Sequence, residues 1–468
     1  MSKRDSTSRR DFLTTAAAAG AITVLSGARR QDEKDADSLD RKEEAKPTFP
    51  KLRVAFIGTG GICTSHIEKA QEFGALCPVF CDVDTRMHEN AGKVWPEARA
   101  YQDYREMFER EHANFDAVMV GTPDHHHYPA TMLALKHGKH VYTQKPLTHT
   151  PWEARQLQHA AAMAGVATQM GNQGHAGEGW RLLYEWVRSG ALGDVIETHT
   201  WTDRPIWPQG MERGDDEDVP PRSLNWDAWC GPAPLRPFRR DKYHRFNWRG
   251  WWDFGAGALG DMACHTMDGV FWALAPGAPL WVEPVASTPI TADAFPKASI
   301  VRWRFPQREV RDAAGGPSWS AAAFDAYWYD GGLRPKFPDD LETGRRYSDS
   351  GNLIIGTKAS MLISGDYGES PRIYPESKMK EIGKPAPILP RSDGHMLEWF
   401  RAAAGERPAD SPVSNFAYAA PFSEVVLLGN VALRVGRRLE WDAANMKFPN
   451  FPDADQYVSK EYRDGWKF

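Results

Sequence analysis

The stretch "KLRVAFIGTGGICTSHI" (51–67) constrains the fold more than any other part of the chain. An apolar run ends in closely spaced glycines, and a helix start follows. Gly58 permits a tight turn, and Gly60 lets backbone approach a pyrophosphate held at the helix N-terminus. Gly58, Gly60, Gly61 and Ile62 are therefore the expected phosphate-side residues. The third position of the G-x-G-x-x-G pattern carries Cys63, which asks the helix to pack slightly further from the strand. A second strand pattern, "PVFCDVD" (78–84), puts Asp82 about 20 residues beyond the turn, where a carboxylate takes the ribose of a dinucleotide. Such an aspartate alone could end any parallel strand. Strand, turn, helix, strand and acid in order make a nucleotide site. A negative charge there repels a 2′-phosphate, so NAD is expected rather than NADP.

The alternation continues through "FDAVMVGTP" (115–123), "PATMLALKHGK" with its stop at Gly138, "HVYTQKP" (140–146), "TPWEARQLQHAAAMAG" and "VATQMGN". Strands with helical crossovers form a parallel, doubly wound sheet that binds ligands at the strands' carboxyl ends. The fold class expected is α/β, with a Rossmann domain over 51–171 and a second, α+β domain over 172–468. "TPDHHHYP" and "QKP" fall at two strand ends, making Thr122, Pro123, His125, His127, Gln144 and Lys145 candidates for the nicotinamide side. Three consecutive histidines invite a metal, but adjacent side chains on an extended segment point in opposite directions, so no metal is expected. Lys145 precedes a proline that keeps the backbone extended. Its bland alternative is a solvated surface lysine.

Farther on, "GALGDMACHTMD" places Asp261 and His265 one helical turn apart on one face. An isolated D-x-x-x-H is usually a helix-surface pair, and as a metal site it supplies only two ligands. Apolar Met262, Ala263, Met267 and Val270 around it argue against a solvated surface.

With "GTGGICTSHI", "TPDHHHYPATMLALKHGKHVYTQKPL" and "GALGDMACHTMD" in this order, the chain resembles the Gfo/Idh/MocA oxidoreductases. The C-terminal "LLGNVALRVGRRLEWDAANM" resembles exported members. The departures are Cys63 and Gln144, the latter standing where the family's Glu-Lys-Pro has glutamate. The resemblance implies a second domain with an open, mainly antiparallel sheet that also makes subunit contacts, hence a homo-oligomer. It implies catalytic positions at Lys145, Asp261 and His265. An alcohol loses hydride to nicotinamide only as its hydroxyl proton is removed, which needs a base near neutral pH and a cation to stabilise the alkoxide. His265 is the expected base, Asp261 its orienting partner, and Lys145 the cation.

The N-terminal "STSRRDFLTTAAAAGAITVLSGA" sets Arg9–Arg10 before Phe12–Leu13 and an apolar run too short to be a comfortable span. It resembles a twin-arginine export signal over 1–28. Residues 29–50 are charged and read as a disordered tether. The bland alternative is a short amphipathic helix, and an uncleaved signal would act as an anchor. Use of the twin-arginine export machinery implies a periplasmic protein that folds before it crosses. Five cysteines without a C-x-x-C pair offer no disulfide framework, consistent with that order of events. A net charge of −5 without a basic block excludes a nucleic-acid partner, and no segment of the mature chain reads as a membrane span.

Nineteen tryptophans bear on the substrate. Trp201, Trp207, Trp226, Trp229, Trp248, Trp251 and Trp252 precede the Asp–His pair, interleaved with Asp203, Arg204, Tyr243, Arg245 and Arg249. Sugar rings stack their C–H faces on indoles, with hydroxyls met by a few polar groups. Some of these indoles belong to the core. Trp201, Asp203, Arg204 and Trp207 of "TWTDRPIWPQG", with His175 of "GNQGHAG", are the expected substrate residues. Because a periplasm is not expected to hold free NAD, the cofactor is expected to stay tightly bound. The expected activity is oxidoreduction at a secondary hydroxyl of a sugar or glycoside. Redox-neutral glycoside cleavage and a non-catalytic sugar binder are the alternatives.

Overall fold

The glycine turn at Gly58 closes the first of six parallel strands: β1 (Val54–Ile57), β2 (Val79–Cys81), β3 (Arg99–Tyr101), β4 (Ala117–Val120), β5 (His140–Gln144) and β6 (Thr168–Gly171). In the computed structural model, which describes residues 47–467 apart from 312–314, 340 and 343, they lie in the order β3-β2-β1-β4-β5-β6. The order reverses between β1 and β4, opening the crevice at the sheet's carboxyl edge where such sheets take ligands. The crossover helix Pro151–Ala164 begins with a capping box between Thr150 and Glu153 and stops at Gly165, φ 62°. The edge strand β3 escapes a reading by periodicity because it is three residues long and largely exposed.

Space for Cys63 comes from Gly121 at the end of β4. A Cβ on Gly121 would sit 2.0 Å from the Cys63 sulfur, and one on Gly58 would meet the Gly121 carbonyl at 2.7 Å. The strand ends and the glycine turn therefore approach as closely as bare backbone permits.

An eight-stranded mixed sheet follows. Its order is Glu369–Tyr374, Ser360–Ser364, Gly351–Gly356, Val195–Trp201, Phe324–Tyr329, Ser299–Phe305, Trp281–Ser287 and Leu439–Glu440. All neighbours are antiparallel except Val195–Trp201 with Phe324–Tyr329. Between the two sheets runs the helix Phe416–Val435, long and apolar enough to cross a membrane but mostly buried in the fold. It is apolar nearly all round because protein covers it nearly all round. Arg155 of the Rossmann domain pairs with its Glu424, and Trp303 of the second sheet donates its indole N–H to the Val425 carbonyl.

One expected boundary shifts and another is crossed. Phe49, assigned to the tether 29–50, is buried against Phe73 and Phe400. The division at 171/172 is crossed by the helix His395–Ala403, whose Trp399 and Phe400 complete the Rossmann core. The proposed export segment and most of the charged stretch lie outside the described residues.

Candidate active site

A cleft of about 590 Å³ opens at the carboxyl edge of the parallel sheet. Gly58, Gly60, Gly61, Ile62 and Asp82 line one end. Asp82 is fixed by the amides of Thr59 (2.8 Å) and Asp84 (2.9 Å), so its carboxylate is held at the rim of the glycine turn. A Cβ on Gly60 would approach the Met87 sulfur at 3.0 Å, so this face of the turn stays bare. A bare turn, a helix start without a side-chain cap and a fixed acid fit the pyrophosphate and ribose of NAD.

The two departures from the family pattern meet in one chain of contacts. Gln144 Nε2 lies 3.0 Å from His66 Nε2, and His66 Nδ1 lies 3.8 Å from the Cys63 sulfur. Burial pushes His66 down to about 4, so the ring is neutral and accepts from the amide. Gln144, in the cleft wall, thus has a neutral partner behind it.

Lys145, at the end of β5, reaches the opposite end. Its Nζ is 2.9 Å from Asp261 Oδ1 and donates to the Asp261 carbonyl at 3.1 Å. Arg249 Nε donates to the same carboxylate oxygen at 3.0 Å. The helix Gly257–Thr266 that carries Asp261 and His265 is tied at its start from three sides. Asp124 Oδ2 accepts the Ala256 amide at 2.9 Å, Gln209 accepts that of Ala258 at 3.0 Å, and Asn430 donates to the Ala256 carbonyl at 2.8 Å.

Burial alone would raise the Asp261 carboxyl, but Lys145 and Arg249 outweigh it and hold it at about 2. His265 is pushed down to about 3 by burial and by Lys145, against the opposing pull of Asp261. Asp261 does not orient the imidazole by a hydrogen bond, as its sequence position suggested. Its carboxylate bonds the two cations, while His265 Nδ1 is buried without a partner and the ring stands edge-on to Tyr367, centroids 5.1 Å apart.

The histidine loop corrects another expectation. His125 is fully buried, its nitrogens 3.1 Å from the Phe254 carbonyl and 2.9 Å from that of Trp229. His127 braces the carbonyls of Pro146 and Thr122. Both serve loop packing. Thr122, Pro123, Asp124 and His126 line the cleft instead.

Of the expected substrate residues, Arg204 and Trp207 line the cleft, Asp203 pairs with Arg204 from outside it, and two are core. His175 is buried with Nδ1 2.9 Å from both oxygens of Asp268, which also accepts from the Tyr418 hydroxyl; Gln173 takes its place on the wall. Trp201 is fully buried against Tyr347 and donates to the Ser348 carbonyl. Trp229 and Trp248 reach the cleft, whereas Trp226, Trp251 and Trp252 pack inside. Sequence reasoning missed Asp366 and Tyr367, which a turn between Gly365 (φ 80°) and Gly368 (φ 76°) delivers to the wall. The paired glycines announce a turn, but not what it faces.

A family model described as "Oxidoreductase family, NAD-binding Rossmann fold" matches residues 52–172, and its companion, "Oxidoreductase family, C-terminal alpha/beta domain", matches 184–305. A glycosyl hydrolase family 109 protein of Shewanella pealeana is 26% identical over 203 residues, 40% of this chain and 44% of the relative. An alpha-N-acetylgalactosaminidase of Shewanella oneidensis is 28% identical over 160 residues, 32% and 34% of the two chains. The match thus spans less than half the length of these curated relatives. The WlbA dehydrogenase of Bordetella pertussis, solved with NADH and UDP-GlcNAcA, superposes with TM-score 0.56 at 18% identity, covering 83% of this chain and 98% of that one. Levoglucosan dehydrogenase, solved with NADH and L-sorbose, gives 0.53 at 18%, covering 83% and 98%. At such identities these structures show the shared fold. The two matched domains, in order around a cleft of this geometry, establish that the chain belongs to the Gfo/Idh/MocA oxidoreductase family, with its NAD-binding Rossmann fold.

Proposed function

We propose that the protein is an NAD-dependent oxidoreductase acting on a secondary hydroxyl of a sugar or glycoside. The observation that carries this reading is the position of Lys145, Asp261 and His265 at one end of a cleft whose other end is the glycine turn and Asp82. Bound NAD supplies the hydride acceptor. Lys145, anchored by Asp261, donates a hydrogen bond to the reacting oxygen and stabilises the charge it gains. His265, neutral across the physiological range, accepts from the hydroxyl and directs its proton away. Arg204, Trp207, Asp366 and Tyr367 give the adjoining wall the mixture of aromatic faces and hydrogen-bonding groups that suits a sugar ring. The sugars in the two solved relatives support this substrate class. Export by the twin-arginine route to the periplasm, tight retention of NAD and assembly into a homo-oligomer belong to the same proposal. They rest on the N-terminal motif, the scarcity of free NAD there, and the family's use of its open sheet.

The family 109 relatives favour a second reading, redox-neutral glycoside cleavage. Oxidation at C3 acidifies the C2 proton, the aglycone is eliminated as C2 loses that proton, water adds at C1 as C2 regains one, and the hydride returns to C3. Retention of Lys145, Asp261 and His265 argues against a purely sugar-binding role.

The test incubates purified protein with a panel of aryl glycosides, with and without added NAD. A keto-sugar formed in step with NADH supports the dehydrogenase. Aglycone release without net NADH supports cleavage. Absence of nucleotide in the denatured protein, together with no binding of added NAD, would overturn both.

A further inference from the structure

Asp124 is the least expected group in the cleft. Its side chain is fully buried. One oxygen accepts the Ala256 amide, the other has no hydrogen-bond partner, and the residue forms part of the cleft wall. For the amide alone an asparagine would serve, at lower desolvation cost than a carboxylate. The charges that face it come from three elements: Asp261 on the helix Gly257–Thr266, Arg249 ahead of that helix, and Lys145 at the end of β5. On its own loop stand His125, His126 and His127, all held neutral by burial.

We propose that Asp124 is the group in which this cleft stores the proton released during hydride transfer. The inference rests on the NAD-dependent reading above. In oxidation the substrate C–H bond breaks with its electron pair, which goes as hydride to oxidised NAD. The O–H bond breaks, a C=O bond forms, and the proton ends on Asp124 Oδ1, turning carboxylate into acid. Return of the hydride reverses each change.

The division of labour follows from the surroundings. Asp261, bonded by two cations, stays ionised and cannot hold a proton near neutral pH. His265, buried beside Lys145, is a poor place for one to remain. Burial raises Asp124 to about 8, and the neighbouring charge of Asp261 adds to it against Arg249 and Lys145. Asp124 therefore holds a proton when the ring in the cleft is neutral and gives it up when the ring is cationic.

The test needs no substrate. Proton release on nucleotide binding to protein freed of any retained nucleotide is measured by calorimetry in buffers of different ionisation enthalpy, from neutral to mildly alkaline pH. Binding of NAD+ to the wild type should release protons, most strongly just below about pH 8, whereas NADH should release none. By linkage, NAD+ affinity should rise with pH, about tenfold if the cationic ring lowers Asp124 by one pH unit, while NADH affinity stays flat. Asp124→Asn keeps the acceptor for Ala256 and should abolish the release. Asp261→Asn removes a negative neighbour and should move it to lower pH. No release from the wild type, or undiminished release from Asp124→Asn, overturns the proposal. Failure of both nucleotides to bind overturns the NAD-dependent reading instead.

Discussion

Lys145 Nζ and Asp261 Oδ1 stand 2.9 Å apart, and Arg249 shares that oxygen at 3.0 Å, so one buried carboxylate balances two cations from different parts of the chain. Removing the carboxylate is costlier than removing either cation. Asp261→Asn strands Lys145 and Arg249 together and should destabilise by about 3–5 kcal/mol in denaturant titrations. Lys145→Met leaves Arg249 on Asp261 and should lose less stability. It should nonetheless lower kcat by about 10²–10³ on whichever glycoside the wild type turns over, with NADH affinity unchanged.

Tyr367, which no sequence pattern singled out, takes the cleft-facing place expected of Trp201, and Trp201 is core instead. Tyr367→Ala should raise KM for the sugar about tenfold, the effect of roughly 1.4 kcal/mol of lost contact, without altering NAD binding. Trp201→Ala should leave KM unchanged and lower stability by about 3–5 kcal/mol, because it empties a packed site against Tyr347. Steady-state kinetics beside thermal melts separate the two.

That exchange marks what the chain discloses about itself. The glycine turn, the β–α alternation and the Asp261–His265 spacing are local patterns, and each appears in the structure where its periodicity puts it. The site's chemistry depends on contacts that no local pattern encodes. Asp261 and Lys145 are 116 residues apart, and Asp366 and Tyr367 come from a turn in the second sheet. The histidine run shows the limit most clearly. Its three rings differ in environment because Phe254, Trp229 and Pro146, from distant segments, supply their partners. The apolar spacing of the helix His395–Ala403 suffices to form it but does not encode its return to the Rossmann core, since one apolar face fits many grooves.

Cys63 and Gly121 form a size-matched pair that a double-mutant cycle can expose. Gly121→Ala alone drives a methyl to within 2.0 Å of the Cys63 sulfur and should destabilise by about 1–3 kcal/mol. Cys63→Ala should relieve the clash, leaving the two Cβ atoms in ordinary contact near 3.6 Å. The double variant should therefore be more stable than Gly121→Ala alone, with a coupling of at least about 1 kcal/mol. Additive losses in urea titrations would show that the turn yields elsewhere.

Buried titratable groups give the protein a stability optimum with two different slopes. Burial holds His126 at about 3 and His127 at about 4, and lowers His125 as well, against about 6.5 for an unfolded histidine. Below about pH 6.5 the unfolded chain binds protons that the folded one refuses, so stability falls as pH drops, by up to about 1.4 kcal/mol per pH unit for each ring. Asp124 works in the other direction. Folded it titrates at about 8, unfolded near 3.9, so between those values the native state holds the extra proton and stability falls as pH rises. Asp330, raised by burial to about 7, adds to that fall until it too is ionised. Several histidines outweigh the two acids on the acidic side. Above about pH 6.5 the acids act alone, and above about pH 7 Asp124 dominates. Urea titrations across this range should show the folded state most stable near pH 6.5. Asp124→Asn should remove most of the decline above pH 7 and leave the acid-side loss intact.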